Sequence, residues 1–321
     1  MGREQDMDVI GIFGANGFIG RHLTRALVGR GLRVVCFGRH FPLDFESEFG
    51  NRADLRLIDF HNDMDVYRKL IGITHVVHLI NSSNAAVGNE KVVADINSNV
   101  IPHVIFVKSC ILSGVKSFTF LSSGGTVYGI PQKVPIDESH PTFPINSYGL
   151  NKLFSEHYLR MLSRNSGMGY NILRVANPYG PGQLGIGGQG LIGTIMQRYL
   201  QGQPVSIFGS GLHQRDYLYI DDTIDAIVRA VEREPLNDVV NIGSGVGVSI
   251  LAVVDAVEAA LGCKIAREHV PDRTTDAADN ILDTSRAERL LGWKTVTPFA
   301  DGVAKTVAWN LRHRAVASRG I

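Results

Sequence analysis

Cysteine is scarce in this chain. Cys36, Cys110 and Cys263 stand far apart in 321 residues, too few for a full set of internal pairs and without the spacing of a thiol metal cluster. That usage points to a reducing compartment. An excess of one charge is also missing: Lys+Arg 32 against Asp+Glu 31 leaves a formal net charge of +1, so no broad field recommends a nucleic-acid or membrane partner. Any anion must then be met locally. Long apolar runs are absent too. The first, residues 9–13, follows a polar MGREQDMD and ends at glycine, which reads against a secretory leader, and no run approaches the roughly 18 residues of a membrane span. The expectation is a cytoplasmic protein. Proline is sparse at 12, whereas glycine is plentiful at 35. With 44% hydrophobic and 20% charged residues, this fits a globular, glycine-turned α/β chain of one large or two closely joined domains.

Up to about residue 130, short apolar runs alternate with helix-like segments. The runs 9–13, 32–37, 55–58, 74–80 and 117–122 are rich in Val, Ile and Phe and predict strands; 17–29, 65–70 and 97–113 repeat apolar residues at helical spacing. A helix over 148–162 and a strand over 170–176 follow. This alternation predicts a parallel sheet covered on both faces. Beyond residue 176 the rhythm changes. Pro178, Gly180, Pro181, Gly182, Gly185, Gly187, Gly188 and Gly190 crowd a segment expected to be irregular, and shorter strands at 205–208 and 239–242 then mix with helices at 222–233 and 250–261. A smaller second region, 177–321, is expected to lend residues near 212–246 back to the first sheet.

Phe13-Gly14-Ala15-Asn16-Gly17-Phe18-Ile19-Gly20 places three glycines at three-residue spacing between a strand and a helix. Glycine permits the tight turn and lets backbone approach a pyrophosphate, while the helix start supplies unpaired N–H groups. An ordinary strand-to-helix turn has the same outline, but strand before and helix after favour a dinucleotide site. The second strand ends Cys36-Phe37-Gly38-Arg39-His40, without the acid that an NAD site usually offers to ribose hydroxyls. Arg39 could face a 2′-phosphate, which admits NADP, or simply face solvent. Asp59 could accept from an adenine amino group or merely end a strand.

Tyr148-Gly-Leu-Asn-Lys152 sets a phenol and an ammonium one helical turn apart on the same face. Such a lysine would stabilise a phenolate and move the tyrosine pKa toward working pH. The spacing gains meaning from the strand end Leu121-Ser122-Ser123-Gly124-Gly125-Thr126-Val127-Tyr128-Gly129, which offers hydroxyls beside the phenol.

Taken together these segments resemble the extended short-chain dehydrogenase/reductase superfamily and, within it, the NAD-dependent sugar-nucleotide epimerase/dehydratase family. The resemblance includes Asn97-Ser-Asn-Val100, Leu173-Arg-Val-Ala-Asn177-Pro-Tyr-Gly-Pro-Gly-Gln183, Ile207-Phe-Gly-Ser-Gly211, Arg215-Asp-Tyr-Leu-Tyr-Ile-Asp-Asp222, Asn241-Ile-Gly-Ser-Gly245 and Asp283-Thr-Ser-Arg-Ala-Glu-Arg-Leu-Leu-Gly-Trp293. It implies a Rossmann-type doubly wound parallel sheet in residues 1–176, with a smaller α/β substrate-binding region in 177–321. It further implies NAD held by Gly14, Gly17, Phe18, Ile19, Gly20, Arg39, Asp59, Phe60, Leu79, Ile80, Asn99, Ser122, Tyr148 and Lys152. A nucleoside-diphosphate sugar, UDP-linked, would meet Asn177, Arg215 and Arg273 at its diphosphate and Tyr217 and Leu191 near its nucleotide. Asn280 would wall the pocket beside the sugar C2 substituent, small enough to admit an N-acetyl group.

By the same resemblance, the expected reaction is 4-epimerisation through a transient 4-keto sugar, with Tyr148 as acid and base, Lys152 keeping the phenol acidic, and Ser123 or Thr126 bonding the same oxygen. One departure stands out: the family's usual Ser or Thr four residues before Tyr128 is here Gly124, so the hydroxyl must come from Ser123, Thr126 or water. A 4,6-dehydratase would need an Asp-Glu pair where this chain has Gly125-Thr126. Two rivals remain: an NADPH-dependent 4-ketosugar reductase, motivated by Arg39, and a catalytically idle nucleotide-binding scaffold, motivated by Gly124. Pairing of the helices from Asn97 and Tyr148 between subunits implies a homodimer, and the activity implies a place in carbohydrate metabolism or polysaccharide biosynthesis.

Overall fold

The computed structural model describes residues 8–60, 62–82, 89, 91–185, 190–271 and 279–317. In chain order its elements are β1 (Val9–Phe13), α1 (Phe18–Gly29), β2 (Arg33–Gly38), α2 (Leu43–Phe49), β3 (Asp54–Leu57), α3 (Asp63–Leu70) and β4 (His75–His78). Next, α4 (Val92–Asp95) runs through a π-helical turn at Ile96–Val100 into α5 (Ile101–Leu112), followed by β5 (Ser117–Ser123), α6 (Ser147–Ser163), β6 (Gly169–Val175), β7 (Asn177–Tyr179) and α7 (Leu191–Leu200). The remainder comprises β8 (Val205–Phe208), β9 (Gln214–Tyr219), α8 (Ile220–Val231), β10 (Asp238–Ile242), β11 (Gly247–Ser249), α9 (Ile250–Leu261), β12 (Arg267–Val270), β13 (Asp279–Asn280), α10 (Ser285–Leu291) and α11 (Phe299–Ala317).

Two compact units result. The first comprises Met1–Ser123, Asn146–Arg174 and Ile224–Val240. Its seven-stranded parallel sheet has the order β10-β6-β5-β4-β1-β2-β3. Strand β1 is buried along its whole length and β2 from its second residue on, as expected of strands covered by helices on both faces. Phe13 and Phe37, paired in register at the ends of these strands, stack with centroids 4.2 Å apart, and Phe106 of α5 tilts against Phe13 at 4.5 Å. Strand order reverses between β1 and β4, so the crevice beyond their C-terminal ends is the switch point at which such sheets take a ligand.

The π-helical turn interrupts what the sequence reads as one helix over 97–113. Pro102 cannot donate to the Ser98 carbonyl four residues earlier, and the wider turn absorbs that missing bond just before it. Helix α2, which periodicity over so short a stretch does not announce, is built on an aromatic ladder. Phe45 and Phe49 are fully buried with ring centroids 4.6 Å apart, and Arg21 and Arg25 of α1 reach across to Asp44 and Glu48.

The second unit comprises Gly124–Ile145, Val175–Thr223 and Asn241–Ile321. In it β9 is the organising strand: β11 pairs antiparallel to its first half, β13 parallel to Gln214 and Arg215, and β7 parallel to Tyr217–Tyr219. Strand β7 falls in the segment expected to be irregular. It pairs only with β9, and on such an edge the missing N–H of Pro178 costs no ladder bond. Of the stretch 212–246, the part that returns to the large sheet is β10, beside β6, whereas β9 finds all its partners within the second unit. The division is therefore not a single cut near residue 176, since 124–145 groups with the second unit and 224–240 with the first. Among the described residues no helix is long and apolar enough to cross a membrane.

Asp216 holds the second unit's turns to β9. Fully buried, it accepts from Ser244 N (2.7 Å), Ser244 Oγ (2.7 Å), Gly245 N (3.1 Å) and Leu282 N (3.3 Å). Burial pushes its carboxyl up and these donors pull it back. Replacing Asp216 by Ala leaves several buried donors unpaired and is expected to lower stability by about 3 kcal/mol. The denaturant midpoint measures this; an unchanged midpoint would refute the role.

Candidate active site

At the switch point, β1 ends in Phe13 and the chain turns at Gly14, whose φ of +93° lies in the left-handed region that favours glycine. Gly14 N and Ala15 N donate to Phe37 O at 3.1 and 3.4 Å, which ties the loop to the end of β2. A Cβ at Gly20 would collide with the Gly14 carbonyl oxygen and lie 2.7 Å from Ala15 Cα. Helix α1 thus starts almost on top of the loop. Its N-cap is Gly17, with no side-chain cap and no acid in the first turn, so the positive helix end is offered outward. These residues fit a pyrophosphate: a cradle closed to side chains and a helix N-terminus without an internal anion.

The other expected cofactor residues surround this crevice. Leu79 N donates to Phe13 O at 2.9 Å, and a Cβ on Gly14 would meet Ile80 Cγ1 at 3.3 Å, so Gly14, Leu79 and Ile80 lie together. Phe18 and Ile19 open α1 and are half-buried. Arg39 is exposed just past β2, and Asp59 is exposed just past β3, its N–H bonded to Asp65 Oδ2 at 3.2 Å. Phe60 turns its ring to Phe13 and Phe106. Asn99, in the π-helical turn, donates to Asp95 Oδ1 at 2.7 Å and accepts from Ser82 N at 2.9 Å and Ser82 Oγ at 3.0 Å. Asp95 in turn accepts from Ser147 Oγ at 2.7 Å, which fixes the start of α6 to the same turn.

Helix α6 begins with Asn146 capping Gly149 N at 2.8 Å and carries Tyr148, Lys152 and Glu156 at successive turns. Lys152 is buried. Its ammonium donates to Leu121 O at 2.9 Å, lies 4.8 Å from the Phe120 ring centroid and 5.8 Å from that of Tyr148. Glu156, beneath it, accepts from Ser122 Oγ and from Arg174 Nε at 3.0 Å and Nη2 at 2.7 Å. Burial pulls Lys152 down to about 8 although Glu156 pushes it up. Burial also pushes the Tyr148 phenol up to about 12, against a hydrogen bond from Ser123. The expected depression of the phenol by Lys152 is therefore not what the chain's own groups produce. Desolvation outweighs it, and the ammonium is spent on the Leu121 carbonyl.

Four residues of this centre escaped the sequence reading. Glu156 and Arg174 are one long-range ion pair; the i+4 spacing of Glu156 from Lys152 was the visible signal, but nothing local marks Arg174 as its partner. His78 and His103 are stacked and fully desolvated near Lys152, with their Nδ1 atoms 3.2 Å apart and His103 Nε2 3.2 Å from Ser155 O. Donation to that carbonyl leaves His103 Nδ1 to accept from His78, an assignment made from the bonding pattern. Burial holds His103 down to about 3 and His78 well below its usual value, so both are neutral.

In the second unit, β9 and its neighbours bring four expected substrate residues together. Asn177 pairs in register with Tyr217, and Asn280 with Arg215. Asn177 Nδ2 donates to Asp216 O at 2.8 Å, and Arg215 Nη1 to Gln214 O at 3.0 Å. Tyr217 is buried, with its phenol pushed up to about 12 despite Arg215. Asn280, 1% exposed, donates from Nδ2 to Gly124 O at 3.2 Å, while its Oδ1 and the Thr126 hydroxyl are buried without a partner among the described residues. Leu191 opens α7 and is half-buried. Arg273 lies outside the described residues.

A family model described as the NAD dependent epimerase/dehydratase family matches residues 10–243. A dTDP-4-dehydro-6-deoxyglucose reductase from Escherichia coli is 31% identical over 92% of this chain and 95% of its own. A UDP-glucose 4-epimerase from Thermotoga maritima, solved with UDP-glucose, superposes with a TM-score of 0.89 at 30% identity, covering 95% of this chain and 99% of that one. The Thermus thermophilus UDP-glucose 4-epimerase, solved with NAD, gives 0.86 at 28% identity, covering 94% and 99%.

Lys152 links the site to folding. Its folded value of about 8 lies below the ordinary lysine value of 10.5, so the cost of burying the ammonium is fully present below pH 8 and fades as pH rises toward 10.5. Lys152→Met should therefore be more stable than the parent at neutral pH, by up to about 3 kcal/mol, while losing turnover. Denaturant titration across that range should show the gap closing; a gap independent of pH would overturn the assignment.

Proposed function

The chain belongs to the NAD dependent epimerase/dehydratase family, and from that membership we propose that it is a nucleotide-sugar 4-epimerase acting on a UDP-linked hexose or N-acetylhexosamine. The observation that carries this reading is the single helix α6, which sets the Tyr148 phenol one turn from the buried Lys152, whose ammonium lies 5.8 Å from the phenol ring centroid. Bound NAD supplies the acceptor and donor of hydride at the sugar C4. Everything else falls to the chain. The glycine loop and the start of α1 hold the cofactor's pyrophosphate, with Leu79 and Ile80 beside them.

Tyr148 takes the proton of the sugar 4-hydroxyl on its phenol oxygen as C4 is oxidised, and returns it when the 4-keto sugar is reduced on the opposite face. Because burial favours the protonated phenol, the anion needs positive charge close by, and Lys152 is the chain's own source of it. Ser123 orients the phenol oxygen, which leaves Gly124 without a part in proton transfer. Asn177, Arg215 and Tyr217, together on β7 and β9, suit a nucleoside diphosphate through donors and an aromatic ring. Exposed apolar side chains at Leu150, Phe154 and Tyr158 form one stripe along α6, and Ile101 and Leu112 are exposed on α5. They support pairing with a second copy of the chain.

A second reading is favoured by Arg39, which replaces an acid at the end of β2, and by the similarity to the E. coli reductase. A 4-ketosugar reductase would consume NADPH and release oxidised cofactor at each turnover.

Purified protein incubated with UDP-glucose, UDP-galactose and their N-acetyl analogues separates the two. Interconversion of one pair without added cofactor, with NAD recovered from the denatured protein, is expected; no epimer from any of the four would remove the reading. Tyr148→Phe should lower turnover by roughly 100-fold to 10,000-fold with the fold intact by circular dichroism.

A further inference from the structure

The far end of α6 carries a second set of polar groups that the proposed reaction does not use. A hollow of about 740 Å³ opens within the first unit between the last turns of α6 and the start of β6. His157, Arg160 and Arg164 line it, and no acid does. Among the described residues none of these three bases has a hydrogen-bond or ion-pair partner. In a chain with a net charge of only +1, three unpaired bases around one hollow are a local concentration.

A base near a helix C-terminus can be explained by the helix dipole alone. Two further groups at the same place cannot. Ser163, 6% exposed, lines the hollow with its hydroxyl buried and unpartnered, although a helical serine could turn back to a carbonyl four residues earlier. Asn237 is held in the left-handed region at φ 52°, its N–H donating to Tyr170 O at 2.8 Å and its Oδ1 accepting from Tyr170 N at 3.0 Å. That leaves the Asn237 carboxamide NH₂ as one more donor.

The side-chain groups left open are thus two guanidiniums, an imidazole, a hydroxyl and an amide NH₂. Such a set matches an acceptor-rich anion. The rest of the wall is apolar or aromatic, from Met161, Met168 and the half-buried ring of Tyr170, and the volume lies within the range of small-molecule sites. We propose that this hollow binds a nucleoside phosphate, with the phosphates on Arg160, Arg164 and the Ser163 hydroxyl and the base against Tyr170. The site is separate from the glycine loop. It lies at the N-terminal end of β6, whereas the loop lies at the C-terminal end of β1, and Arg160 is about 18 Å along α6 from Tyr148.

The test uses the full chain with its cofactor and diphosphate sites filled by saturating NAD and UDP, followed by calorimetric titration with ADP and, separately, inorganic pyrophosphate. One further ADP per chain is expected. The Arg160→Gln/Arg164→Gln double variant should bind it roughly tenfold more weakly or worse, and Ser163→Ala a few-fold more weakly. Sugar turnover without ADP should be unchanged in both variants, so failure of the epimerase reading would leave this result standing. Absence of additional ADP binding, or equal binding by the double variant, would overturn the proposal. Pyrophosphate binding as tightly as ADP would overturn the role given to Tyr170.

Discussion

The buried carboxylate of Glu156 is the constraint around which the reacting centre is arranged. It takes hydrogen bonds from Ser122 at the end of β5 and from Arg174 at the end of β6, while standing on α6 between those strands. The middle of α6 is thereby fixed to the C-terminal ends of β5 and β6. A buried pair of charges adds little to stability over an apolar pair, but removing either partner strands the other, so such a pair specifies position more than it stabilises. One turn earlier on the same helix is Lys152. Its ammonium can survive burial only because that carboxylate is near, and even so it is held at about 8. The neutral His78 and His103 pair adds bulk and hydrogen bonds near Lys152 without adding charge.

Near-neutrality of the whole chain acquires a meaning from the same economy. Positive potential is delivered at points: the uncapped start of α1, the ammonium of Lys152, and Arg215 on β9. Each is held by backbone or by a buried partner. A long-range field would attract many polyanions, whereas point donors select by shape. The glycine loop shows how strict that can be, since no side chain fits at Gly20 and only glycine sits easily at the φ of Gly14.

The parts of the fold legible in the sequence were those with local causes. Alternating Val-rich runs gave β1 to β5, and glycine spacing gave the turn before α1, because both are decided within a few residues. Long-range effects were hidden. Glu156 could be seen four residues after Lys152, but its partner Arg174 lies 18 residues on and could not be named as such. The histidine pair joins residues 25 apart, and nothing local marks either as the other's partner. Strand β7 was masked by Pro178, which an edge tolerates. The burial of Tyr148 was not legible, because helical spacing gives neighbours and not solvent exposure, and burial pushes its phenol up.

Gly124 looked like a loss of catalytic function, and its surroundings give it a different role. Its N–H donates to Val175 O at 2.8 Å and its carbonyl accepts from Asn280 at 3.2 Å, so both backbone groups are engaged in the second unit. A side chain is not what this position contributes. Two residues on, the Thr126 hydroxyl is buried without a partner, and so is the Asn280 Oδ1. An unpaired buried donor or acceptor costs of order 1–3 kcal/mol, so a folded chain does not usually leave such groups without use. A sugar, with a hydroxyl on nearly every carbon, can pair both. On the epimerase reading proposed above, the hydroxyl missing at Gly124 is divided between two places: Ser123 for the tyrosine and Thr126 for the substrate.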